Sequence, residues 1–225
     1  MWYHGDEVGS SKPGQFITLE GIEGSGKSRQ LNLLEKEWNR LGRSFIRAQQ
    51  PGGTPFGEEV RRVLLQKDGA GREPGSELLL YLADRYQHLK EVIEPALNKG
   101  IHVVCDRYHD ATLAYQGHAR GIGFDRIDRL AEILEFRTPD LTLVLDLEVQ
   151  VGLQRAIERN HREDQEKWGR FEAEDLSFHQ KVREGYQLLA QRDPERVLLV
   201  DASGDPDTVF KKILSLIGQH HLLQP

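Results

Sequence analysis

The run Gly21-Ile22-Glu23-Gly24-Ser25-Gly26-Lys27-Ser28 constrains this chain more than any other stretch, because it fits the phosphate-loop pattern G-x-x-x-x-G-K-[ST]. That pattern needs a strand before it and a helix after it. Phe16 to Glu20 is a short β-rich run, and Leu31, Leu34, Trp38 and Leu41 recur at helical spacing through Arg29 to Leu41. In such a setting the glycines let backbone N–H groups close around phosphate oxygens. The helix start adds unpaired donors and a partial positive charge. Lys27 is then expected to hold the β- and γ-phosphates, and Ser28 to offer its hydroxyl to Mg²⁺. All eight loop residues are therefore candidates for binding a nucleoside triphosphate.

Strand and helix patterns alternate through the rest of the chain. Strands are expected at Ser44–Ala48, Ile101–Cys105, Leu141–Asp146 and Arg196–Val200. Helices are expected at Pro55–Gln66, from an N-cap at Ser76 to about Asn98, around Thr112–Gln116, and at Phe124–Phe136, Val149–Arg159, Phe171–Gln191 and Pro206–Ile217. Val60, Val63 and Leu64 are expected to form one apolar face, and Leu78, Leu79, Leu82, Leu89, Val92, Ile93 and Ala96 another. Gly117, Gly121 and Gly123 are expected to break the helix near Thr112. The alternation predicts an α/β fold of three layers, a five-stranded parallel sheet flanked by helices.

In such a sheet, ligands sit beyond the carboxyl ends of the strands. Asp106 follows the third apolar run and stands where a Mg²⁺-associated carboxylate belongs. Asp146 ends the fourth and reads equally as a strand-end cap or a ligand-side group. Tyr81 and Arg85, four apart, share a helix edge; taken alone they read as a half-buried tyrosine and a surface arginine. Arg155, Arg159 and Arg162 can line one helix face beside the polar stretch 160–170, which by itself reads as a mobile, solvated segment.

A chain of 225 residues suits one domain, expected at 15–217 between a loose extension (1–14) and a tail (218–225). His220 and His221 read as tail residues. The net charge of −6, with both signs mixed throughout, argues against nucleic-acid binding by broad electrostatics. No apolar run approaches the length of a membrane span, and no signal peptide is evident. The single cysteine, Cys105, reads as a buried strand residue, and a reducing compartment fits it.

Five motifs occur in a fixed order. They are the phosphate loop; Pro51-Gly52-Gly53-Thr54; Tyr81-Leu82-Ala83-Asp84-Arg85; Asp106-Arg107-Tyr108 followed by Ala114-Tyr115-Gln116-Gly117; and Arg170-Phe171-Glu172. As an ordered set they resemble the bacterial thymidylate kinases, nucleoside-monophosphate kinases of the phosphate-loop class, over about residues 15–217. The resemblance implies phosphorylation of dTMP to dTDP by ATP with Mg²⁺, a homodimer, and a cytoplasmic enzyme. It implies that Tyr81 stacks on the base, Arg85 bonds a base carbonyl, and Thr112 makes a polar base contact. It places Tyr115 on the deoxyribose, Arg107 on the acceptor phosphate, Glu23 near the sugar 3′-hydroxyl, and Pro51 and Gln116 in the substrate pocket. Lys27, Asp106 and Arg107 become catalytic candidates, with Ser28 and Asp106 on the metal. Because the phosphate loop carries no arginine, Arg159 and Arg170 become the lid arginines, with Arg155 and Arg162 behind them, in a lid of about 159–171.

The chain departs from that family at named places. Gln49-Gln50 stands where Arg-Glu is usual, Gly169 where an Asp is frequent, and Ala111 where Ser is frequent. Arg47, on the same side of its strand as Gln49, is expected to compensate. A cis bond is expected at Gln50–Pro51, where the family bends the chain. Two alternatives stay open: a nucleoside-monophosphate kinase with altered acceptor preference, and a catalytically weakened ATP-binding paralogue. A GTPase switch would carry an Asn-Lys-x-Asp motif, and none is found.

Overall fold

The computed structural model describes residues 13–66, 72–162, 171 and 174–220, with the side chains of 160–162 outside that description. Five strands form one sheet in the order β2-β3-β1-β4-β5, every pair parallel. They are β1 (Phe16–Glu20), β2 (Phe45–Gln49), β3 (His102–Asp106), β4 (Leu141–Asp146) and β5 (Val197–Asp201). β1 sits centrally and is buried along its whole length, as a strand covered on both faces must be. Its carboxyl end feeds the phosphate loop, with Leu19 in register with Asp106 of β3.

Helices cover both faces. On one side α1 (Lys27–Arg40) and α9 (Pro206–Gln219) pack Leu31, Leu34, Trp38, Val209 and Ile213 against Ile17, Leu19, Leu143 and Leu145. On the other, alternate strand residues such as Val144 meet the remaining helices. These are α2 (Pro55–Leu65), α3 (Pro74–His88), α4 (Glu94–Asn98), α5 (His109–Thr112), α6 (Phe124–Ile133), α7 (Val149–Arg162) and α8 (Leu176–Arg192).

Several local expectations change. α3 begins at Pro74, whose fixed φ suits a first helical turn, so Ser76 is not its cap. The path from α3 to α4 passes through a π-helical stretch, Leu89–Ile93, just ahead of Pro95, which has no N–H to give to a regular ladder. A second such stretch, Leu113–Ala119, carries the helix through Gly117. Gly117 does not break it; a Cβ there would stand 3.0 Å from Phe124 Cδ1, so the glycine admits α6. α8 starts at Leu176 rather than Phe171, because Asp175 caps it by accepting from Phe178 N–H at 2.7 Å. α9 extends to Gln219. Val63 and Leu79, expected on apolar inner faces, are 46% and 62% exposed. Cys105 is buried on β3, as expected.

One buried polar cluster fixes where α5 starts. Arg196, just before β5, donates to both oxygens of Asp110 at 2.7 and 3.0 Å, and Thr142 Oγ1 donates to the same carboxylate at 2.8 Å. Asp110 is 1% exposed. Burial alone would raise its pKa, but the Arg196 guanidinium outweighs that and holds it below the ordinary carboxylate value. Replacing Arg196 by Met strands that charge. We expect a stability loss of roughly 3–5 kcal/mol at pH 7 in urea unfolding. In the wild type the lowered pKa gives stability at neutral pH that is lost as pH falls through the folded value; in Arg196→Met burial acts on Asp110 without its arginine, so the carboxyl takes a proton above its ordinary value of about 4 and the deficit begins to shrink above that pH.

Candidate functional site

The phosphate loop is shaped by one close backbone contact. Gly24 has φ of 70°, and a Cβ on it would collide with the Gly152 carbonyl in the first turns of α7. A Cβ on Gly152 would stand 2.6 Å from the Glu23 carbonyl. Loop and helix therefore meet backbone to backbone, and Arg155 and Arg159 project from α7 along the same cleft. A Cβ on Gly26 would meet nothing within 4 Å, so the loop is open there. Lys27 Nζ donates to the carbonyls of Gly21 and Ile22, each at 3.0 Å, and to Ser25 Oγ at 3.4 Å. Burial, with nearby Arg107 adding to it, pushes the lysine down to about 8.

Facing the loop, Arg107 follows β3 with φ of 66°, a left-handed conformation that disfavours a side chain. Its own N–H donates to Leu19 O at 3.0 Å, and the next N–H, of Tyr108, donates to Glu20 Oε1 at 2.7 Å. Tyr186 of α8 donates its hydroxyl to Glu20 Oε2 at 2.8 Å and accepts from Arg107 Nη1 at 3.4 Å. Burial and the neighbouring Asp110 carboxylate push Glu20 up to about 7. Arg107 Nη2 reaches Glu23 Oε1 at 2.9 Å, and Tyr115 donates to both Glu23 oxygens at 2.7 and 2.9 Å. Burial works against the Glu23 charge, but Arg107, His179, Lys27 and Tyr115 together hold it well below the usual carboxylate range.

The far end of the cleft is built on Arg85. It is 1% exposed, not the surface arginine that its spacing alone suggested. Nε donates to Gln50 Oε1 at 2.9 Å and Nη2 to Tyr108 O at 2.8 Å, while Nη1 is buried with no hydrogen-bond partner among the described residues. Gln50 Nε2 lies 3.3 Å from His88 Nδ1. The Gln50–Pro51 bond is cis, as expected, and Gly52 N–H donates to Asp84 Oδ1 at 2.9 Å. Arg47 does not compensate for the missing arginine, because it turns to α1 and donates to Asn32 Oδ1 at 2.6 Å. Arg61 of α2 lines the cleft instead, donating to Pro51 O at 2.7 Å, with the Gln49 amide oxygen 3.3 Å from its guanidinium once that amide is turned.

These walls enclose a cleft of about 560 Å³. Among the expected residues it brings together Glu23, Gly24, Gly26, Lys27, Ser28, Pro51, Tyr81, Arg85, Asp106, Arg107, Ala111, Thr112, Tyr115, Gln116, Arg155 and Arg159. Gln116 is fixed by donating to Glu77 Oε1 at 2.9 Å. Asp146 is not among them; it accepts from Arg183 of α8 at 2.7 and 3.1 Å, a bond that ties strand end to helix. Arg170, the Arg162 side chain, Gly169, Glu172 and most of the segment 160–170 lie outside the described residues, as do 1–12 and 221–225. Sequence reasoning missed Arg61, His179 and Tyr186. The last two carried a faint signal, seven residues apart and so on one face of α8.

The family model described as thymidylate kinase matches residues 19–213. The thymidylate kinase of Solidesulfovibrio magneticus is 46% identical over 91% of this chain and 99% of its own length. That of Pelobacter propionicus is 44% identical over 93% and 96%. The crystal structure of thymidylate kinase from Ehrlichia chaffeensis superposes with a TM-score of 0.73 at 29% identity, covering 91% of this chain and all of that one.

His88, 3.3 Å from the Gln50 amide, is held neutral by its surroundings. Burial and Arg85 hold His88 down to about 4, so the folded protein keeps it neutral while the unfolded chain protonates near 6.5. Stability is therefore lost as pH falls from 6.5 towards 4. In Gln50→Glu a carboxylate meets His88 Nδ1, and we expect the histidine pKa to rise by about one unit or more, measured by NMR titration. The acid-side loss of stability should flatten accordingly.

Proposed function

Because this chain belongs to the thymidylate kinase family, we propose that its cleft transfers the γ-phosphoryl group of ATP to dTMP, giving dTDP and ADP. One observation carries the residue-level reading: Lys27, Glu23 and Arg107 line a single cleft, with the Glu23 carboxylate ion-paired to the acceptor-side guanidinium next to the donor-side cation. Lys27, now bonded to two loop carbonyls, exchanges them for the β- and γ-phosphates. Arg107 grips the acceptor phosphate with its guanidinium fork. Phosphoryl transfer spreads charge over equatorial oxygens, and Arg159 and Arg170 supply cations to them, with Arg155 and Arg162 behind. A hydroxyl and a carboxylate are hard oxygen donors of the kind Mg²⁺ takes, and both Ser28 and Asp106 line the cleft. Bound there, Mg²⁺ supplies charge neutralisation at the phosphates.

The acceptor base has a place at the other end. The unpartnered Nη1 of Arg85 suits a base carbonyl, since a buried donor left unsatisfied costs about 1–3 kcal/mol. Tyr81 stacks on the ring, Thr112 and Gln116 give polar contacts, Pro51 shapes the wall, and Tyr115 packs on the sugar beside Glu23. The Gln49-Gln50 departure is compatible with turnover, because Gln50 still holds Arg85 and Arg61 takes the place beside Gln49. We read residues 15–217 as one kinase domain with a lid at about 159–171. We also propose a homodimer. Phe56 and Val63 on α2, and Leu79 and Tyr86 on α3, are exposed and seven apart in each helix, so each pair forms an apolar stripe. No helix among the described residues is long and apolar enough to cross a membrane. A cytoplasmic setting suits the unpaired, buried Cys105.

ADP release from Mg-ATP should depend on dTMP and be far weaker with dUMP, UMP, CMP, dCMP, AMP or GMP. Preference for another monophosphate would move the substrate and point at Tyr81, Ala111 and Thr112; ATP binding without acceptor-dependent turnover would favour the weakened paralogue. Lys27→Ala should lower turnover by roughly 10² or more while far-UV circular dichroism stays unchanged. Phosphate contact favours the charged ammonium. Free Lys27 titrates at about 8, so ATP binding at that pH should take up about half a proton, measured calorimetrically in buffers of different ionisation enthalpy.

A further inference from the structure

α8 presents one buried face to the loop: His179, Val182 and Tyr186, all 1% exposed or less. Tyr186 has clear work there, bonding Glu20 and Arg107. His179 does not. It is 0% exposed, and neither ring nitrogen makes a hydrogen bond among the described residues. Phe178 packs against it edge-on, with ring centroids 5.6 Å apart. Leaving a polar ring nitrogen buried and unsatisfied costs about 1–3 kcal/mol, and a leucine would fill the same space without that cost. A space-filling role therefore explains the position but not the residue.

The chemistry lies beside it. Nδ1 stands 3.4 Å from Glu23 Oε2, a separation short enough for electrostatic attraction though no hydrogen bond is formed. The other carboxylate oxygen, Oε1, is taken by Arg107 at 2.9 Å and by the Tyr115 hydroxyl at 2.7 Å. Among the described residues, Oε2 receives only the second, 2.9 Å branch of that same hydroxyl as a hydrogen bond. A shift of a few tenths of an ångström would make Nδ1–H its missing donor.

We propose that His179 is a positioning residue for the transfer reaction: its ring, held by α8, braces Glu23 Oε2 so that Glu23 in turn holds the Arg107 guanidinium in place for the acceptor phosphate. This rests on the kinase reading above and adds to it a residue from an element outside the five motifs. His179 touches neither substrate nor reacting atoms, so its effect passes through Glu23. It belongs in kcat, where the aim of Arg107 matters, and not in the ATP KM, which the loop and Lys27 govern.

The test is a double-mutant cycle on the full chain. His179→Leu keeps the volume and removes the donor; we expect kcat with dTMP to fall about tenfold, with the ATP KM within about twofold. In a Glu23→Gln background the same change should cost less than about twofold. His179→Asn, which keeps an N–H, should recover part of the loss. An equal loss in both backgrounds, or no loss in either, would overturn the proposal and leave His179 as packing. A second readout needs no turnover and covers a His179→Leu variant that fails to fold. With ¹⁵N-histidine labelling, Glu23→Gln should shift the His179 Nδ1 resonance; an unchanged resonance overturns the coupling. A protein that shows this shift yet turns over no dTMP would refute the kinase reading alone.

Discussion

The site is organised by a buried carboxylate inside a loop that must receive phosphates. Glu23 carries negative charge where the incoming ligand is also negative, so it persists only because cations and donors surround it. Arg107 and the Tyr115 hydroxyl bond it, and Lys27 and His179 lie close by. The same arrangement binds the phosphate loop to the end of β3. Arg107 sits at a φ that costs a side chain about 1–2 kcal/mol, and the backbone is held there by Leu19 O and Glu20. Glu20, itself buried and raised to about 7, is satisfied by Tyr108 N–H and the Tyr186 hydroxyl. Glu20, Arg107 and Glu23 are thus each held by a neighbour, which is how a low-dielectric site holds several charges without ejecting one.

Rigid elements carry that network. The backbone contact of Gly24 with Gly152 sets α7 against the loop, and two turns of α7 then bring Arg155 and Arg159 to the cleft. The Asp110–Arg196–Thr142 cluster fixes α5, and with it Ala111, Thr112, Tyr115 and Gln116. Asp146, whose position at a strand end invited a ligand role, does the same for α8 through Arg183. Polar residues at the carboxyl edge of the sheet thus divide into those that face the cleft and those that hold its walls, and strand position alone does not separate them.

The departure at Gln49-Gln50 shows what a motif can and cannot say. The loss of both charges was plain in the sequence. How the pocket absorbs it was not, because the two partners come from other helices. Arg61 lies on α2, and His88 closes α3, where burial keeps it neutral and able to sit beside an amide. Arg47 was the nearer candidate along the chain, but its side chain is spent on Asn32 and on Glu35 at 3.8 Å. Neighbourhood in sequence gave the wrong arginine, since a strand side chain on the β2 edge has a helix beside it to answer.

The order of strands and helices, the phosphate loop and the Asp106-Arg107 turn were legible from residues alone, because these depend on local periodicity and on backbone conformations that few residues allow. So was the family, carried by five motifs in order. Element ends were less legible: Pro74 displaced Ser76 as the start of α3, and Asp175 moved the start of α8, since capping is decided by which side chain reaches which N–H. Only the tertiary structure could bury Arg85, expose Leu79, and set His179 and Tyr186 of α8 beside a loop more than 150 residues earlier. Burial and charge pairing belong to surfaces formed when distant segments meet, and spacing along one chain segment does not contain them.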